Sequence, residues 1–121
     1  MKYMLLVHHD EEVFAKLSEI NQKQMLEESV QLTHKLHADG QYLNASPLQP
    51  AATATIVRVR DSKPLVTDGP FIETREQIAG YFLIEAKNID AAVTIATSVP
   101  GARIGSIEVR PLRQITGLPN E

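Results

Sequence analysis

Few side chains in this sequence are equipped for chemistry, and the carboxylate with the most distinctive setting is Asp68. It opens the run Asp68-Gly69-Pro70-Phe71, an acid, a permissive glycine, a rigid proline and a large apolar ring in succession. Gly69 can take the positive φ of a tight turn, and Pro70 fixes the next φ. An aspartate at such a turn can bond backbone N–H groups a residue or two on. Phe71 calls for burial, which predicts a loop pinned against the body and serving as a site wall. Desolvation beside that ring would raise the Asp68 carboxyl pKa and equip it as a general acid or base. Gly69, Pro70 and Phe71 would then contact the ligand. The alternative is a turn carboxylate that only caps amides, which would lower its pKa.

The second set is His8, His9 and Asp10. Adjacent strand residues point to opposite faces, so the two histidines cannot easily reach one metal ion. His8 and Asp10 share a face and could form an oriented imidazole–carboxylate pair, or simply end a strand and cap a helix. Ser29 is the odd polar member of an apolar helical stripe, either lining a pocket or bonding back to its own helix. Glu108 and Arg110 share a strand face with Ser106, and they are candidates to pair with Arg75 or Glu73. Arg110 could instead hold a ligand carboxylate. His34 and His37 lie off the main stripe and read as surface residues. The chain has no cysteine, which excludes disulfides and thiolate chemistry. No phosphate-cradling glycine loop, serine elbow or HExxH motif is present, and no metal or cofactor is expected.

These residues need a scaffold, and hydrophobic periodicity supplies one. Residues 2 to 8 are apolar on both faces, which marks a central strand. Asp10-Glu11-Glu12 starts a helical stretch that runs to Asp39 in two pieces, with Ser18 as a cap for the second and Gly40 as its C′ residue. Met25, Ser29, Leu32 and Leu36 form the stripe. A short strand at 41–45 precedes Ser46-Pro-Leu-Gln-Pro, where two prolines break regular structure. Residues 53–60 alternate, Asp61-Ser-Lys turns, and 64–67 return as a hairpin. A core strand at 78–85 carries Gly80, the mark of a bulge or a close backbone approach. Asn88 caps a helix that would bury Ile89, Ala92, Val93 and Ala96. A last strand spans 105–110, and a proline-containing tail begins at about 111.

The order is β-α-β, hairpin, β-α-β. It predicts an α+β, ferredoxin-like antiparallel sheet with its helices on one face. Strands apolar on both faces leave the other face without a cover, and a second subunit could supply it as a homodimer.

At 121 residues, with 43% hydrophobic and 22% charged residues, the chain fits one globular domain. A net charge of −3 gives no footprint for nucleic acid or an anionic membrane. The opening Met1-Lys-Tyr-Met-Leu-Leu-Val turns polar at His8, unlike a signal peptide, and the cytoplasm is the expected location.

Asp68-Gly-Pro-Phe followed by Glu73-Thr-Arg-Glu-Gln-Ile-Ala-Gly-Tyr-Phe-Leu-Ile resembles the hallmark of the DGPF-domain branch of the YCII-related family. The opening strand, the Leu48-Gln-Pro run, Thr55-Ile-Val-Arg-Val-Arg and Ser106-Ile-Glu-Val-Arg-Pro are similar to that family in the same order. The resemblance covers nearly the whole chain and implies a ferredoxin-like domain that pairs into a dimeric α/β barrel. Relatives usually carry Tyr-Gly where this chain has His8-His9. The wider family is linked to a His–Asp pair whose positions here are Ser29 and Val99, so that dyad is not carried over. Two readings follow. One is a cofactor-free enzyme doing lyase- or isomerase-type proton transfer on a small acidic or aromatic metabolite near the Asp68 loop. The other is a non-catalytic ligand-binding or accessory module associated with sigma-factor systems.

Overall fold

The computed structural model describes residues 1–119; Asn120 and Glu121, the end of the expected tail, lie outside the described residues. Its centre is β1 (Lys2–Asp10), hydrogen-bonded antiparallel to β5 (Glu76–Glu85) on one side and to β6 (Gly105–Pro111) on the other. With β2 (Tyr42–Pro47) beyond β5, the sheet order is β2-β5-β1-β6, the ferredoxin-like arrangement. The strands β3 (Thr55–Arg60) and β4 (Lys63–Asp68) form a separate hairpin. Asp61 and Ser62 both take positive φ at its tip, the geometry of a tight turn whose twist matches the strands.

The helices start where short polar side chains satisfy free amides. Asp10 Oδ1 accepts from the Glu12 and Val13 amides and opens α1 (Glu11–Ala15). Ser18 Oγ accepts from Asn21 and opens α2 (Glu19–Ala38), and Asn88 Oδ1 accepts from Ala91 to open α3 (Ile89–Thr97). Gly40, at φ +72, ends α2 with Gln41 N–H donating to Leu36 and Gly40 N–H to His37, so two orphan carbonyls are satisfied. No helix is long and apolar enough to cross a membrane.

Core packing concentrates at one end of the sheet. Tyr3 and Leu5 of β1 meet Phe82 and Ile84 of β5, Leu36 of α2, Ala92 and Ala96 of α3, and Val99. Complete burial of Leu5 and Ile84 contributes roughly 1.5–3 kcal/mol each. Ile89 and Val93, expected in this core, are exposed. The small Ala92 and Ala96 let α3 sit close to the sheet, which turns the flanking large residues outward. Gly80 meets the expectation of a close approach, since a Cβ there would lie 2.9 Å from the Ser46 carbonyl oxygen.

Among the described residues, no helix lies over the opposite sheet face. Met4, Leu6 and His8 alternate there with the inward Tyr3, Leu5 and Val7. His8 does not pair with Asp10, which is occupied as a cap; its Nε2 lies 3.0 Å from Glu108 Oε1 on the neighbouring strand. Arg110 Nε donates to Glu108 Oε2 at 2.8 Å, so Glu108 and Arg110 pair with each other and not with Arg75 or Glu73.

Two outcomes follow. Ser18→Ala and Asn88→Ala each lower unfolding free energy by about 1 kcal/mol in a denaturant titration, the usual worth of an N-cap. Glu108 is held below the ordinary glutamate range, first by the hydrogen bond from Arg110 and then by that from His8. A depressed folded pKa means that the pair's stabilisation is present above the ordinary glutamate value and is lost as pH falls through the lowered one. In a carboxyl-carbon NMR titration, Glu108 changes at lower pH than in Arg110→Ala, where it moves back up.

Candidate functional site

The inward face of β1 does not end with Leu5. Val7 and His9 continue it toward the strand's far end, where the core no longer fills the space beneath α2. Met25, Ser29 and Thr33, one turn apart, look down on that space, while Ala45, Phe82, Val99 and Gly101 complete its walls. The result is a cavity of about 310 Å³ between helix and sheet, lined mainly by apolar atoms.

His9 is the lining residue that titrates near neutrality. Its ring stacks on Phe14 of α1, with centroids 4.9 Å apart and planes 20° from parallel. Burial pushes the imidazole pKa down, outweighing the opposing pull of Glu11, Asp10 and Glu76. The ring is therefore neutral at physiological pH, and it makes no hydrogen bond among the described residues. The histidine at the cavity is His9 and not His8, the one expected from sequence to act in proton transfer. The signal was available: strand parity sets position 9 with Tyr3, Leu5 and Val7, on the face that the helices cover.

At Ser29 the two alternatives coincide in space. Its hydroxyl donates to the Met25 carbonyl at 2.9 Å, and the same side chain lines the cavity.

The Asp68 loop lies elsewhere, against a wider polar depression of about 640 Å³. Gly69 and Pro70 line it together with Asp10, Glu11, Glu12, Glu73 and Arg75. Gly69 has no positive φ; the position excludes a side chain because a Cβ would come within 2.8 Å of Ala54 Cβ. The Gly69–Pro70 peptide is cis. The Gly69 amide donates to the Ala54 carbonyl at 2.8 Å, and Gln77 Nε2 donates to the carbonyls of Ile72 and Thr74. These bonds hold the loop where Phe71 was expected to anchor it. Phe71 is 67% exposed, with the Arg58 guanidinium 5.4 Å from its ring centroid.

Asp68 ends β4 with its side chain exposed, outside the walls of both cavities. It makes no hydrogen bond or ion pair among the described residues, so the carboxylate caps no amide there. Arg110 stays on the open sheet face with Glu108. The expected site residues thus divide: Ser29 at the helix–sheet cavity, Gly69 and Pro70 at the depression, and His8 and Arg110 on the bare face. Among the described residues, no three His, Asp or Glu side chains are grouped to hold a metal.

The YCII-related domain matches residues 1–116. An uncharacterised protein of Rhizobium meliloti (strain 1021) is 32% identical over 114 residues, spanning 93% of this chain and 92% of that protein. On both grounds the chain belongs to the YCII-related family.

Proposed function

We propose that this protein binds a small, predominantly apolar molecule in the helix–sheet cavity, and that His9 serves there as the proton acceptor for cofactor-free chemistry. The observation that carries the reading is the His9 imidazole, which makes no hydrogen bond among the described residues and has its pKa lowered by burial, in the wall of a predominantly apolar cavity. A volume of about 310 Å³ lies at the lower end of the roughly 300–1,000 Å³ usual for ligand sites, which favours single-ring molecules. A neutral imidazole near its working pH is the usual group for abstracting a proton without a metal. The acid–base role anticipated for Asp68 passes to His9, because His9 lines the helix–sheet cavity and Asp68 lies outside its walls.

The active form in this reading is a homodimer. Met4, Leu6 and Leu83 leave an aliphatic strip on the bare sheet face, and Val57, Val59 and Val66 are exposed together on one face of the hairpin. A second copy would cover such surface.

Para-cresol at a hundred times its Kd should stabilise the protein by about 2.7 kcal/mol in thermal unfolding. Ser29→Leu fills the cavity and removes that response while the protein stays folded. A wild-type protein indifferent to the probe would defeat the reading. Light scattering at micromolar concentration should give the mass of a dimer, and Leu6→Glu, which sets charge into the bare face, should give a monomer. Monomeric wild-type protein would rule the assembly out.

A further inference from the structure

The cavity's polar groups are not free to act in every sense, because helical backbone has already claimed most of their protons. Ser29 Oγ donates to the Met25 carbonyl, and Thr33 Oγ1 donates to the Val30 carbonyl at 2.6 Å. The Gln22 amide nitrogen donates to the carbonyls of Phe14 and Leu17, at 3.1 and 3.2 Å. Each of these side chains therefore faces the ligand with what remains, an oxygen that accepts. His9 adds a ring lone pair and keeps one N–H. Tyr42, on the strand side, has a hydroxyl that works in either direction. Among the described residues, no lysine or arginine lines the space.

From this arrangement we infer that the cavity selects a hydrogen-bond donor: an uncharged, mostly hydrocarbon molecule carrying a hydroxyl group, and not a carboxylate or other anion. The inference rests on the cavity being the ligand site. An anion would find only the His9 N–H and the Tyr42 hydroxyl as side-chain donors among several acceptors, and would lose its hydration with no lysine or arginine among the described lining residues to compensate. An ether of the same shape would occupy the volume but leave the imidazole lone pair without a proton. A hydroxyl donates to His9, and its own oxygen can still accept from the imidazole N–H or from Tyr42. The substrate expected from the sequence, small and acidic or aromatic, narrows to the neutral hydroxylated kind.

Protonation of His9 should work against such a ligand. Imidazolium has no lone pair to offer, so affinity falls as pH drops through the His9 pKa. The charged groups around the ring are Asp10 on its own strand, Glu11 on α1 and Glu76 on β5; β6 offers Gly105, and α2 the uncharged Gln22.

Three probes of one shape test the inference by calorimetry on the intact protein: para-cresol, its methyl ether para-methylanisole, and para-toluate. Para-cresol should bind about tenfold more tightly than the ether, the worth of one hydrogen bond, and para-toluate should bind least. His9→Phe keeps the ring stacked on Phe14 but has no lone pair. It should bring para-cresol down toward the ether and abolish the pH dependence, leaving the ether's affinity as it was. An ether bound as well as the phenol, or para-toluate bound best, overturns the donor assignment and leaves the cavity reading standing. A His9→Phe protein that still prefers the phenol overturns the part assigned to His9. Failure of all three probes to bind overturns the cavity reading and this inference together.

Discussion

The architecture depends on the parity of one strand. β1 is paired along both edges, so its register is fixed twice, and its alternate side chains have no latitude about which way they face. Tyr3, Leu5 and Val7 go to the helices, while Met4, Leu6 and His8 go to the bare face. The irregularity opposite Val7 and His8 is absorbed by β5, which brings Ile78 and not Ala79 across from His8. Two neighbouring histidines thereby acquire unrelated lives. One is held by a carboxylate–guanidinium pair on an open surface, and the other is stacked and neutral in a cavity.

The same strand also separates packed core from open cavity. Its first half carries the fully buried residues, and its second half borders the space that the core leaves empty. Glu28 of α2 pairs with Arg103 at 2.9 Å, linking the cavity-bearing helix to the turn at Pro100–Arg103. This link is exposed and worth little by itself. The stronger attachment of α2 is at its other end, where Leu36 is buried and Gly40 closes the last turn.

What the sequence disclosed was local or periodic. Asp10, Ser18, Asn88 and Gly40 act within four residues of themselves, so their types alone announce the helix ends. Strand alternation and the prolines after Ser46 were enough for the order of elements, and order plus right-handed crossovers gives the sheet. What stayed hidden was non-local. The burial of Phe71 depends on where the hairpin leads its loop, and the hairpin leads it outward, under Arg58. Nothing near Glu108 in sequence names His8, a hundred positions away, as its partner. Asp68 belongs to a rigid motif, but rigidity does not decide what a carboxylate faces. His9 is the intermediate case: parity disclosed its face, whereas the absence of filling atoms beneath α2 is a property of the assembled volume.

The way α2 is held has an evolutionary consequence. Its C-terminal turn belongs to the core through Leu36 and the Gly40 closure, and the preceding turns supply Gln22, Met25, Ser29 and Thr33 to the cavity wall. Substitutions at Gln22, Met25, Ser29 and Thr33 alter the shape and polarity of the cavity without touching Leu36 or the Gly40 closure. In a lineage built on this fold the cavity can therefore be reshaped at a few positions of one helix, at little risk to folding.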